Sequence, residues 1–265
     1  MIRKLRLAGA VALVLSAAIA ALTAQDKGLK VTILYDNTSA LPECKADWGF
    51  AALVEGTDQP ILFDAGTRGD ILVQNIKAVN ADLSRTKVVV ISHAHLDHTG
   101  GFDTALARMP GVTAYLPAFS PAALLENVSR AGGINASVTG VGTISNDVWL
   151  TGTLGEQIKE QSLIIGTPKG LVVLTGCSHP GIVQILERAS EVGRAKIHAV
   201  MGGFHLLQHR DSAVSEIVAQ IRALGVEKVG ATHCTGEKAI AAFRKAYGDD
   251  FIELGAGRVV RFDYK

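Results

Sequence analysis

Aromatic side chains are scarce: Phe, Tyr and Trp make up 5% of the 265 residues, although hydrophobic residues as a whole reach 48%. The interior is therefore expected to be aliphatic, built of Val, Ile, Leu and Ala, and large enough for one domain or two small ones. Cysteine is scarce as well. Cys44, Cys177 and Cys234 are an odd set, which excludes a fully paired disulfide framework. No collagen-like, heptad or low-complexity pattern occurs, which excludes fibrous and disordered classes. No stripe of Lys and Arg occurs either, so nucleic acid is not an expected partner.

Long apolar runs are absent except at the start. Arg3, Lys4 and Arg6 precede a nearly uninterrupted apolar segment over residues 7–22, and polarity returns after Ala24. That run falls short of the ~20 residues a bilayer crossing needs. The pattern reads as a secretory signal peptide over residues 1–24, with an uncleaved N-terminal anchor as the alternative. The expectation is an exported protein, periplasmic or extracellular, with a catalytic domain over residues 25–265 and no stable membrane span once the leader is removed. Without the leader, 23 basic residues face 25 acidic ones.

What is present is a regular alternation. Short Val-, Ile- and Leu-rich runs predict strands over residues 30–35, 49–55, 60–63, 87–92, 113–116, 162–166, 171–175, 197–201, 228–231 and 258–262. Apolar residues at helical spacing predict helices over 70–79, 181–192 and 237–247, and one capped by Ser212 and stopped by Gly225. The small, polar stretch 132–142 is expected to be a surface loop. The result is a mixed α/β domain with helices covering sheets.

Six of the strand-like runs lead into a polar residue: Asp36 and Asn37, Asp64, His93, His179, His205 and His233. Sites in α/β proteins gather outside the carboxyl ends of strands. The sharpest signal is His93-Ala94-His95-Leu96-Asp97-His98, with four potential ligands in six residues. Alternate histidines in extended chain point the same way and suit one ion, while Asp97 and His98, after a turn, suit a second. Each ion needs about four ligands, so the cluster demands further histidines, and His179 and His233 are placed to supply them. Imidazole and carboxylate together favour zinc, with manganese or iron as alternatives. Asp64 either stabilises a turn or orients a ligand histidine. His198 and His209 have no such context and read as structural or solvated.

These residues resemble the metallo-β-lactamase superfamily, from Val31 to about Phe262. The resemblance implies a four-layer αβ/βα sandwich and two divalent metal ions. It makes His93, His95 and His179 ligands of the first ion and Asp97, His98 and His233 ligands of the second. The segments Tyr35-Asp36-Asn37-Thr38, Thr175-Gly176-Cys177-Ser178-His179, Gly202-Gly203-Phe204-His205-Leu206 and Thr232-His233-Cys234-Thr235-Gly236 are similar to the 7,8-dihydropterin-6-methyl-4-(β-D-ribofuranosyl)aminobenzene-5′-phosphate synthase-like branch. Many members of the superfamily place a bridging Asp or Cys between the third and last ligand histidines. Here only Asp211 lies in that interval, and His205 stands near the expected place as a ligand or substrate contact.

The implied activity is hydrolysis of a small-molecule ester, lactone, lactam or phosphoester by metal-activated water, with Asp97 binding the second ion and orienting the nucleophile. Transfer to a non-water nucleophile, as in a synthase, and a non-catalytic exported metal-binding protein are the alternatives. His95 stands where oxygen-reducing di-iron relatives carry Glu, which speaks against that role. The substrate-pocket wall is expected from residues 41–48, 115–127 and 132–142.

Overall fold

The computed structural model describes residues 28–263. The expected leader, 1–24, lies outside the described residues, and among those described no helix is long and apolar enough to cross a membrane.

Among the described residues, thirteen strands form two sheets. The first holds β1 (Gly28–Tyr35), β2 (Ala51–Glu55), β3 (Ile61–Phe63), β4 (Val88–Val90), β5 (Thr113–Pro117), β6 (Ile134–Val138) and β13 (Val259–Asp263), in the order β13-β1-β2-β3-β4-β5-β6. The second holds β7 (Gly142–Ser145), β8 (Val148–Leu150), β9 (Leu163–Thr167), β10 (Gly170–Thr175), β11 (Ile197–Gly203) and β12 (Lys228–Thr232), in the order β12-β11-β10-β9-β8-β7.

Period-2 alternation sorts the side chains into three apolar layers. Leu29, Val31 and Ile33 of β1 meet Val172 and Leu174 of β10 between the sheets. Beyond the short α2 (Leu96–Thr99), Val89 of β4 faces outward onto α1 (Gly69–Ala78), α3 (Phe102–Leu106) and α4 (Ala122–Arg130), through Leu72, Phe102 and Val128. Leu171 and Val173 of β10 face the other way, onto α5 (Ile182–Gly193), α6 (Asp211–Ala223) and α7 (Glu237–Tyr247), through Ile185, Ile221 and Phe243. The central strands are apolar on both faces because each face is covered. The architecture is the four-layer αβ/βα sandwich.

Two local expectations fail. Residues 132–142 are not a loop throughout: Ile134–Val138 forms β6, parallel to β5 at the edge of the first sheet. Only Val138 of that strand is buried, so main-chain pairing with β5 places it and no apolar alternation announces it. Ser212 does not cap its helix, which begins at Asp211 after Arg210, with no side-chain cap.

The pairing directions matter most for function. β3, β4 and β5 run parallel, and so do β10, β11 and β12. Their carboxyl ends bring Asp64, His93, Cys177, His179, His205 and His233 to one end of the sandwich. Gln161 ties the sheets there: its N–H donates to Ser92 O at 2.9 Å and its Nε2 to Ile91 O at 2.9 Å.

Candidate metal centre

The strand ends carry unusual backbone. Asp64, Ser178, His205 and His233 all have positive φ, at 56°, 66°, 55° and 54°. Non-glycine residues pay for that conformation, and such residues cluster where geometry serves a site. Two glycines permit the close approach. A Cβ on Gly176 would lie 2.1 Å from Ser92 Oγ, and one on Gly203 would lie 2.6 Å from Cys234 Sγ.

Two groups of potential ligands result. His93, His95 and His179 form one, and Asp97, His98, Cys177 and His233 the other; within each group the ligand atoms lie within 4.8 Å of one another. The sequence-predicted histidines and Asp97 are thus brought together. Cys177 is an addition that sequence reasoning missed as a ligand. The superfamily pattern places its bridging residue after the third ligand histidine, whereas Cys177 comes from just before His179. His205 joins neither group. It is exposed, with its ring 4.4 Å from that of His179.

Hydrogen bonds fix how each imidazole points. Asp64 is fully buried; its Oδ1 accepts Ser92 N–H, and its Oδ2 accepts Ser92 O–H and His98 Nδ1–H, each at 2.7 Å. Since the Ser92 hydroxyl proton goes to Asp64, His93 Nδ1–H donates to Ser92 Oγ at 2.9 Å. Asp64 therefore orients a site histidine in addition to shaping its turn.

Glu160, also fully buried, was not singled out in the sequence. Its Oε1 accepts the backbone N–H groups of Cys177 and Ser178 at 2.9 and 2.7 Å. Its Oε2 accepts His179 N–H at 2.7 Å and His179 Nδ1–H at 2.8 Å. Asn37 Oδ1 accepts His233 Nδ1–H at 2.9 Å. Each of these rings thus has its Nδ1 proton engaged and its Nε2 lone pair free.

The free nitrogens face other potential ligand atoms. His93 Nε2 lies 3.1 Å from His95 Nδ1. His98 Nε2 is 3.2 Å from Cys177 Sγ and 3.7 Å from Asp97 Oδ2. His233 Nε2 lies 3.3 Å from Asp97 Oδ2, yet it is buried and makes no hydrogen bond. The buried His233 Nε2 lone pair faces the Asp97 carboxylate with no hydrogen bond between them, a repulsion that a cation relieves. Zinc bonds of ~2.0–2.1 Å to nitrogen or oxygen and ~2.3 Å to sulfur put tetrahedral neighbours about 3.3–3.6 Å apart. The observed spacings of 3.1–3.7 Å bracket that range, so the residues fit a divalent metal ion.

The electrostatics agree. Burial pushes the Asp64 carboxyl well up, and burial together with neighbouring imidazoles pushes His93 well down and His98 down to about 3. Burial would raise Glu160 too, but the hydrogen bond from His179 and the nearby His93 hold it at about 2. Burial likewise opposes ionisation of Asp97, and the His233 and His98 rings outweigh it, leaving the carboxyl below its usual range. Contact with Cys234 and burial push the Cys177 thiol up. All three cysteines are free. Trp48 Nε1 donates to Asp97 Oδ2 at 2.9 Å, and its ring lies 4.9 Å from that of His233.

Two cavities flank the centre. One of about 890 Å³ is lined by Asn37, Trp48, Leu207, His233, Lys238 and Arg244, among others. A smaller one of about 430 Å³ lies beside His179 and His205. Of the expected wall segments only Trp48 contributes to either; most of the larger wall comes from residues that flank the ends of β11 and β12, among them Leu207, Gln208, Lys238 and Ile240.

The sandwich and its strand-end histidines define a metallo-β-lactamase-fold protein, and the metallo-beta-lactamase superfamily model matches residues 49–123 of the chain. It is similar to the 7,8-dihydropterin-6-methyl-4-(beta-D-ribofuranosyl)-aminobenzene-5′-phosphate synthase of Methanocaldococcus jannaschii, with 27% identity over 263 residues covering 81% of this chain and 90% of the relative. It is also similar to a solved metal-dependent hydrolase of the β-lactamase superfamily, at 29% identity and a TM-score of 0.74, covering 89% of this chain and 99% of that one. The metallo-β-lactamase fold protein YhfI from Bacillus subtilis shares the fold at a TM-score of 0.60 and 14% identity, over 89% of this chain and 100% of its own.

Proposed function

We propose that the chain is a metal-dependent hydrolase that uses two divalent ions, zinc first among the candidates, on a small ester, lactone, lactam or phosphoester. The observation that carries this reading is the convergence of potential ligand atoms in two groups, with the buried Nε2 of His233 left without any partner. When bound, such ions supply Lewis acidity and lower the pKa of water from ~16 towards ~7.

The chain's own residues do the orienting. Asp64, Glu160 and Asn37 hold His98, His179 and His233 with Nε2 forward, and Ser92 does the same for His93. Asp97, partly exposed and ionised, accepts from Trp48 and can orient or accept a proton. The solved metal-dependent hydrolase at 29% identity supports the same class. We further infer export, on the leader-like pattern of residues 1–24.

The test is a panel of ester, lactone, β-lactam and phosphodiester substrates, run before and after chelation. Turnover that vanishes on metal removal and returns with zinc supports hydrolysis; turnover by fully metal-free protein overturns it.

A second reading is group transfer, favoured by the synthase relative of which the alignment covers 90%. It requires a pterin and a ribosyl-phosphate donor on the same side of the membrane as the enzyme, which export disfavours. Condensed product from such a pair would favour transfer; hydrolysis products alone would count against it.

A further inference from the structure

We propose that Cys177 is a ligand of the second ion, completing a four-donor Asp97, His98, Cys177, His233 site, while the three-histidine group keeps the position open to substrate. This rests on the metal-dependent reading above and assigns the residue that the sequence pattern left vacant.

The argument begins with what is missing. Between His179 and His233 the chain offers no Cys, and its single Asp, Asp211, begins α6 and is exposed. His205, which follows β11 in that interval, turns instead to His179 and stays exposed. Without another donor the second group would hold only Asp97, His98 and His233.

Cys177 fills the gap from the neighbouring strand. Its Sγ lies 3.2 Å from His98 Nε2, and it belongs to the same 4.8 Å cluster as Asp97 and His233. The backbone is held in place by Glu160, which accepts the Cys177 N–H at 2.9 Å and orients His179 as well. One buried carboxylate thus positions a donor in each group.

An independent observation points to the same cavity. His233 Nε2 is buried and unpartnered, and it faces this group. Cys234, the other thiol nearby, serves differently: its Sγ donates to Cys177 O at 3.5 Å and it is not among the converging atoms.

The consequence is a division of labour. Four protein donors saturate a tetrahedral ion, whereas three leave a position for water or substrate. Thiolate coordination makes the second site softer and selects zinc, cobalt or iron over manganese. A coordinating thiol gives up its proton to solvent on binding, so loading the site releases one proton from Cys177.

Cobalt(II) titration of the metal-free full chain tests this. Wild-type protein is expected to bind two equivalents and to develop the intense near-ultraviolet thiolate-to-cobalt charge-transfer band, with one additional proton released. Cys234→Ser and Cys44→Ser should keep the band. Cys177→Ser should lose it and bind one equivalent tightly, with second-site affinity reduced by more than about 100-fold, since changes in residues behind the ligands alone cost 10–100-fold.

Wild-type protein that binds two equivalents without the band overturns the proposal while leaving the metal-dependent reading intact, whatever the folding of the variants. A band that survives in Cys177→Ser overturns it too. Protein that binds no cobalt at all overturns both.

Discussion

Glu160 and His179 are joined twice: the carboxylate accepts the imidazole Nδ1–H at 2.8 Å and the backbone N–H of the same residue at 2.7 Å. Glu160→Gln should weaken metal binding at the three-histidine group by about 10–100-fold, because the ring loses the anion that fixes its tautomer. Glu160→Ala should in addition cost on the order of 3 kcal/mol of stability, since the buried N–H groups of Cys177 and Ser178 lose their acceptor. Isothermal metal titration and urea unfolding separate the two effects; unchanged metal affinity in Glu160→Gln would refute the orienting role.

Asn37 does for His233 what Glu160 does for His179, without the charge. Asn37→Ala is expected to lower affinity at the second group by about 10-fold or more and leave the three-histidine group nearly untouched. Asn37→Asp should tighten the second group, because a carboxylate makes the imidazole a stronger ligand. Competition with a chromophoric chelator measures both, and equal losses at the two sites would count against the assignment.

Trp48 offers an optical readout. Its indole N–H donates to Asp97, its ring packs beside His233, and it is 46% exposed. Trp149 is the only other tryptophan. In a Trp149→Phe background, metal loading should change the Trp48 emission, and Trp48→Phe should abolish the change. Trp48→Phe should also lower turnover by about 10-fold by releasing Asp97, with stability within ~1 kcal/mol of the parent because the residue is half exposed.

Asp36 gives a pH signature. It is buried beneath Thr232, whose hydroxyl donates to it at 2.6 Å, and burial raises its carboxyl to about 6. Between its ordinary value near 3.8 and about 6 the folded state holds the proton and the unfolded state does not. This group therefore costs nothing below that window and destabilises the fold progressively as pH rises through it; at neutral pH its charge costs on the order of 3 kcal/mol. In metal-free protein, Asp36→Asn should remove that contribution, so its stability relative to wild type should rise between pH 4 and pH 6.5. Parallel curves in urea unfolding would refute the assignment.

Metal removal should also be visible without a substrate. A ligand at 1,000 times its Kd stabilises a fold by about 4 kcal/mol. Chelation should lower the thermal midpoint, and zinc should restore it. Cys177→Ser should retain only the part of the shift due to the three-histidine group.

Much of this was legible in the sequence. The 93–98 cluster carries four donors at fixed spacing, and His179 and His233 each follow a short strand-like run of apolar and small residues. Glu160 was not legible, because it follows no strand and its partners, Cys177, Ser178 and His179, lie 17–19 residues on. Cys177 was visible as a residue but not as a donor, since its role depends on β10 ending opposite His98 across the sheets. β6 was hidden for a different reason: an edge strand with one buried side chain leaves almost no apolar signature.

Each donor group draws on both sheets. His93 and His95 follow β4 while His179 follows β10; Asp97 and His98 follow β4 while Cys177 and His233 follow β10 and β12. An ion in either group is therefore a clasp between two layers otherwise held together by greasy, non-directional contact. Sliding one sheet past the other by a single residue, ~3.3 Å, would exceed any metal–ligand bond length. Alignment of the halves and retention of the ion become one mechanical event, so the rate at which a bound ion escapes should report how often the sandwich slips open at this end.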